Sequence, residues 1–124
     1  MPQISVLVSV YNAVDTLPQC LDSLLHQTMK ELQIICIDDA STDTSLQLLQ
    51  RYQREHPDLI DIVALPDNHG QGYARNQGIP LVKAPLTAFL DSDDYLAPDA
   101  LEQVLLTFQS HPATDCVLFD VRYL

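Results

Sequence analysis

The chain alternates short apolar runs with longer stretches of helical spacing. Ile4–Val10 (ISVLVSV) is short and rich in β-branched residues, the make-up of a strand buried on both faces. Leu17, Cys20, Leu21, Leu24 and Leu25 follow at the i, i+3, i+4, i+7 spacing of a helix that should start near Asp15 or Thr16, with Pro18 in its first turn. Leu32–Ile37 (LQIICI) predicts a second strand. Ser41 or Thr42 is then placed to cap a helix carrying Leu46, Leu48, Leu49 and Tyr52 and ending before Pro57. Ile60–Leu65 predicts a third strand, Pro66–Gly72 a loop, and Gly72 to about Val82 a short helix interrupted by Gly78 and Pro80. Leu86–Leu90 predicts a fourth strand ending in Asp91-Ser92-Asp93-Asp94, Asp99–Phe108 a helix opening after Pro98, and Cys116–Val121 a fifth strand.

Strand–helix alternation with apolar strands predicts one α/β domain over residues 1–124, a mostly parallel sheet flanked by helices on both faces. Right-handed crossovers put every strand's carboxyl end on one edge, and ligands of open α/β sheets bind beyond that edge. Tyr11-Asn12, Asp38-Asp39 and Asp91-Ser92-Asp93-Asp94 would therefore face one crevice, with five carboxylates gathered from positions more than fifty residues apart. Such charges repel one another in a partly dry crevice, and a divalent cation held by oxygen ligands would offset the cost. Mg²⁺ or Mn²⁺ suits such a donor set better than zinc, because no Cys or His cluster accompanies it.

Blander roles are open for each feature. Asp38, Asp39 and Ser41 could only cap a helix, and Tyr11 could be a half-buried packing residue, whereas three carboxylates over 91–94 exceed the needs of one cap. The loop 67–76 offers two glycines, a helix start and Arg75 to an anion, or is an ordinary connection with Arg75 solvated. His69 reads as exposed loop polarity. His26, His56 and His111 sit at helix ends, beside terminal carbonyls.

Six basic against 17 acidic residues among 124 give a net charge of -11, and 47% of the chain is hydrophobic, a globular composition. Lys30, Arg51, Arg54, Arg75, Lys83 and Arg122 are scattered, which argues against a nucleic-acid partner. Cys20, Cys36 and Cys116 are odd in number and far apart, as expected of reduced, buried thiols in a cytoplasmic protein. No apolar stretch approaches the roughly 20 residues of a membrane span, and the start lacks the marks of a signal peptide. The expected location is cytoplasmic, with a peripheral position at the inner membrane face open to a longer enzyme. Strand one is followed by Tyr11-Asn12-Ala13-Val14 rather than glycines, and no P-loop is present, so a bound phosphate would be neutralised chiefly by metal.

Four segments together resemble glycosyltransferase family 2: Ile4–Asn12, Ile37–Asp43 (IDDASTD), Ala74–Gly78 (ARNQG) and Phe89–Asp94 (FLDSDD). The resemblance covers nearly the whole chain and implies an inverting enzyme of the GT-A fold. Such an enzyme transfers a sugar from a nucleotide-diphospho-sugar, with a lean to UDP, to a saccharide or lipid-linked acceptor hydroxyl in polysaccharide or glycoconjugate synthesis. It implies that Tyr11 and Asp39 contact the nucleotide base, that Arg75 lies near the base or diphosphate, and that Asp38 supports its turn. Asp91-Ser92-Asp93 matches the family's Asp-x-Asp motif. Asp93 would ligate the metal directly, Asp91 would lie near the ribose or the metal's waters, and Asp94 would act from behind them.

Ser9 stands where the family often has proline, and Ala84-Pro85 where it has glycine. Family members usually continue well past the Asp-x-Asp motif to an acidic general base, and Asp115 and Asp120 come too soon after it to serve. The chain is thus expected to be the nucleotide-binding part of a truncated or degenerate domain, without an identifiable catalytic base and with little transfer of its own; an oligomer is compatible with it. Three other classes remain open. A receiver-like regulatory domain lacks its acidic pair after strand one and its late Lys, and a haloacid-dehalogenase-type phosphatase would carry its Asp motif after the first strand. A non-catalytic module would use the carboxylates only as caps.

Overall fold

A computed structural model, which describes residues 1–117, contains four strands and four helices. Strands β1 (Ile4–Val10), β2 (Leu32–Asp38), β3 (Ile60–Ala64) and β4 (Leu86–Asp91) form a parallel sheet in the order β3-β2-β1-β4. Helices α1 (Leu17–Leu25), α2 (Ser45–Glu55), α3 (Gln71–Gly78) and α4 (Ala100–Ser110) alternate with them. A single 3₁₀ turn, Ile79–Leu81, extends α3 where Pro80 stops the regular helix.

The two central strands are buried throughout, which is why they read as near-continuous apolar runs. Side chains of a strand alternate between faces, so β1 feeds two cores. Ile4, Val6, Val8 and Val10 meet the apolar stripes of α1, α2 and α4 on one face. Leu7, with Ile35 and Ile37 of β2, meets Ala74 of α3 on the other. Gly78 makes that second contact close: a Cβ there would stand 2.7 Å from Ile37 Cδ1 and 3.1 Å from Leu7 Cδ2.

Helix ends follow the sequence unevenly. Thr16 precedes α1 with Pro18 in its first turn, and His26, His56 and His111 cap the C-termini of α1, α2 and α4 as expected. Helix α2, however, starts at Ser45 rather than after a Ser41 or Thr42 cap, because both of those residues are engaged in holding the preceding loop. Asp99 occupies the N-cap of α4 without a side-chain bond, and the fully buried Gln27 instead accepts the Leu101 N–H at 3.0 Å.

Residues 111–117 form no strand, and residues 118–121 of the expected fifth strand lie outside the described part. Cys20 and Cys36 are buried, but Cys116, expected to be buried as well, is exposed in the irregular segment that follows α4. No described helix is long and apolar enough to cross a membrane.

Candidate functional site

The parallel register sets Val10 of β1 opposite Asp38 of β2, and Ser9 opposite Asp91 of β4. The carboxyl ends of three neighbouring strands thus lie level. Beyond them opens a cavity of about 510 Å³ whose lining includes Tyr11, Asn12, Asp39, Gln71, Asp91 and Asp93. The structure brings together most of the residues singled out from the sequence, and Tyr11 is half-exposed at this rim rather than packed away.

Asp38 and Asp39 are both nearly fully buried but do different things. The Asp38 carboxylate accepts from the Ser41 N–H at 3.2 Å and the Ser41 hydroxyl at 2.5 Å, which closes the turn after β2. The Asp39 carboxylate spans the cavity's far wall: one oxygen accepts the His69 N–H and the other the Gly70 N–H, each at 2.9 Å. Gly70 adopts φ 92 at the start of α3, a conformation open to glycine and strained for other residues. Asp39 therefore fixes where α3 begins. Each of its oxygens keeps a further acceptor site for a ligand.

The turn after β1 is fastened to the same region. Asn12, at φ 48, accepts the Thr42 N–H at 2.8 Å through Oδ1, while its own N–H donates to Ser41 Oγ at 3.0 Å. The Ala13 N–H donates to Ser45 Oγ at 2.9 Å. Two non-glycine residues with positive φ, Asn12 and Ala40 (φ 58), thus flank the cavity, and such backbone strain persists only where its surroundings fix it. Sequence reasoning placed Asn12 at this edge without giving it a role, and it missed Gln71. Asn tolerates left-handed backbone, which is the signal Asn12 offered; nothing marked Gln71 beyond its place beside the glycines.

At the end of β4 the carboxylates of Asp91, Asp93 and Asp94 each offer an oxygen within 4.8 Å of the others. Asp91 is partly buried, and Asp93 and Asp94 are exposed. Burial first, then the charges of Asp93 and Asp91, holds Asp94 above the usual carboxylate range. The Cys20 thiol lies beneath, 3.6 Å from the Asp91 carbonyl, and burial together with these three aspartates pushes it up to about 12. The donors close enough together to share an ion are the three carboxylates, without this thiol. Three hard oxygen donors on one short turn fit Mg²⁺ or Mn²⁺.

None of these acidic groups caps α2 or α4. Thr44 makes no side-chain cap bond at α2, whose Ser45 N–H donates to Asp43 instead, and α4 begins only at Ala100, well after Asp94. Arg75 is not simply solvated either: its Nη2 lies 2.8 Å from Asp91 Oδ1, an oxygen that also accepts from Gln71 Nε2. The His69 ring stands 4.3 Å from that of Tyr73, while its backbone serves Asp39.

Comparison with known proteins follows the same outline. The model of Glycosyl transferase family 2 matches residues 5–123. A poly(ribitol-phosphate) beta-glucosyltransferase of Bacillus spizizenii is 41% identical over 101 residues, 80% of this chain and 16% of the relative. A chondroitin synthase of Escherichia coli is 35% identical over 94% of this chain and 17% of its own length. Among solved structures, S. aureus TarS 1-349 in complex with UDP-GlcNAc superposes with a TM-score of 0.82 at 29% identity, covering 89% of this chain and 32% of TarS 1-349. A mannosyltransferase of Pyrobaculum calidifontis, with a TM-score of 0.81 at 24% identity over 86% of this chain and 32% of its own, shares the fold. The expected GT-A α/β fold is the fold found, and the chain spans a minor part of the length of each of these proteins.

Proposed function

The chain belongs to glycosyl transferase family 2, and from that premise we propose that it holds the donor, a nucleotide-diphospho-sugar with uridine as the base, together with Mg²⁺ or Mn²⁺. In the reaction it serves, the sugar passes with inversion to a hydroxyl of a saccharide or lipid-linked acceptor during polysaccharide or glycoconjugate synthesis. The observation that carries this reading is the single cavity shared by Tyr11, Asp39, Asp91 and Asp93. Relatives named for acting on poly(ribitol-phosphate) or as chondroitin synthase support a polymer-building role, and the UDP-GlcNAc complex of TarS supports a UDP-sugar.

Each residue then has a task that its setting suits. Tyr11 offers an exposed ring face for the base to stack on, and Asp39 offers free acceptor sites to the base's N–H. Arg75 directs its fork toward the diphosphate. Asp93 holds the metal with Asp91, Asp94 offers a third oxygen beside them, and Asp38 supports the turn after β2. Bound there, the ion supplies Lewis-acid stabilisation of the charge that builds on the departing nucleoside diphosphate.

We propose that the described residues supply the donor side of the reaction and not the base on the acceptor side. Asp115, the one described candidate for a base on the acceptor side, is exposed and is not among the cavity's lining residues, and Asp120 lies outside the described residues. Calorimetric titration of UDP with and without Mn²⁺ tests the reading. Binding that requires or is strongly enhanced by Mn²⁺ is expected, and equally absent binding in both conditions contradicts it.

A further inference from the structure

Arg75 pairs with a carboxylate, although the ligand proposed for it is a diphosphate. Its ion pair with Asp91 is the one found among the described residues, and the accepting oxygen is already shared with Gln71. Arg75 Nε is buried without a hydrogen-bond partner among them, and the guanidinium carbon stands 5.5 Å from the centroid of the Phe89 ring. A guanidinium carries five N–H donors in a fork that suits two oxygens of one anion, so a single shared oxygen leaves most of the fork unused. Asp91 belongs at the same time to the three-carboxylate cluster. The arginine balances charge in the cluster while its buried Nε has no partner among the described residues.

We propose that Arg75 is the resident cation of the acidic cluster, neutralising Asp91 until ion and nucleotide arrive, and then turning from Asp91 to the diphosphate. The inference rests on the donor-site reading given above. A divalent ion among Asp91, Asp93 and Asp94 repels the neighbouring guanidinium, so a bare ion competes with Arg75 for the same negative charge. A nucleoside diphosphate removes that competition by giving Arg75 another anion. Ion and nucleotide therefore bind cooperatively, and linkage makes the effect of each on the other equal. The change is a side-chain rotation, because Asp39 anchors the start of α3 through His69 and Gly70.

The test uses the full chain and two ligands: Mn²⁺ alone, followed by electron paramagnetic resonance, and UDP, followed by calorimetry with and without Mn²⁺. Arg75→Met keeps the apolar stem and removes the charge. It should bind Mn²⁺ alone about five- to tenfold tighter than the wild type, as expected for one screened charge a few ångströms from the ion, and UDP should enhance its Mn²⁺ affinity severalfold less than it does in the wild type. Gln71→Leu removes a neutral bond to the same oxygen and should not tighten Mn²⁺ binding, which separates charge competition from simple disturbance of Asp91. Arg75→Lys restores the charge and should return bare Mn²⁺ affinity to the wild-type value. Thermal unfolding checks each variant, and Arg75→Gln takes the same place should Arg75→Met not fold. Mn²⁺ affinity unchanged in the charge-removed variant, or ion–nucleotide coupling as strong in it as in the wild type, overturns the proposal. Failure of the wild type to bind either ligand instead removes the donor-site reading itself, and the proposal with it.

Discussion

Replacing Asp39 with Asn swaps one carboxylate oxygen for an NH₂ group and tests both of the roles that meet in that side chain. In the wild type each carboxylate oxygen accepts one backbone N–H at 2.9 Å, from His69 and from Gly70. Hydrogen bonds to a charged partner contribute about 1.5–3 kcal/mol each, against about 0.5–1.5 for neutral ones. Asn keeps one acceptor, now neutral, and turns an NH₂ donor toward the other N–H. The acid itself is 3% exposed, but His69 and Gly70 lie at the surface, where water can hydrate the freed N–H. That hydration pulls the net cost to the lower end, about 1–2 kcal/mol. Urea unfolding gives the global cost, and hydrogen exchange at the His69 and Gly70 amides gives the local one, which should be the larger sign of a loosened α3 start. UDP affinity in the presence of Mn²⁺ should fall at least tenfold, since the base loses an anionic acceptor and the loop its anchor. Unchanged exchange at Gly70 would refute the clasp, and unchanged UDP affinity in a folded variant would refute the base contact.

Other perturbations follow from local geometry. Ala40 sits at φ 58, so Ala40→Gly should stabilise the chain by about 1 kcal/mol, read by urea unfolding, with the turn otherwise intact. Gly78→Ala gains about 1 kcal/mol of helix propensity but drives a methyl against Ile37 and Leu7; overpacking of about 1–3 kcal/mol should leave it net destabilised by the same assay. Asp94 is held above the usual carboxylate range in the folded chain, so the fold binds the proton better than the unfolded chain does, and stability is lost as pH rises through that raised value. Asp94→Asn should therefore raise the Tm near neutrality, leave it unchanged in acid below the usual carboxylate range, and weaken Mn²⁺ binding.

The parts legible from sequence are those governed by periodicity and topology. The β-branched runs of β1 and β2 and the apolar stripe of α1 announce themselves, and parallel winding then sends Tyr11, Asp39 and Asp91 to one edge regardless of their separation. What was hidden depends on bonds between loops. Ser41 looks like a helix cap by type and position, yet it is occupied by Asp38 and Asn12, which delays α2 to Ser45. Gln71 gives no pattern at all until α3 is placed beside β4, and Arg75 reads as a cation for a bound anion or for water, with nothing pointing to Asp91 as its partner. Asp39 was legible as a site residue, but its grip on the 69–70 backbone was not, because no local rule links residues thirty apart. Asp94, expected behind the metal ligands, offers an oxygen as near to the cluster as theirs.

The account turns on one ion and one nucleotide sharing the carboxyl edge of the sheet. Amide resonances of the ¹⁵N-labelled chain, followed during addition of UDP and then substoichiometric Mn²⁺, test this directly. The predicted result is UDP-dependent shifts at Tyr11, Asp39 and the 69–75 segment, with paramagnetic broadening centred on Asp91–Asp94. Broadening spread over the acidic surface, with no UDP response at Tyr11 or Asp39, would contradict it.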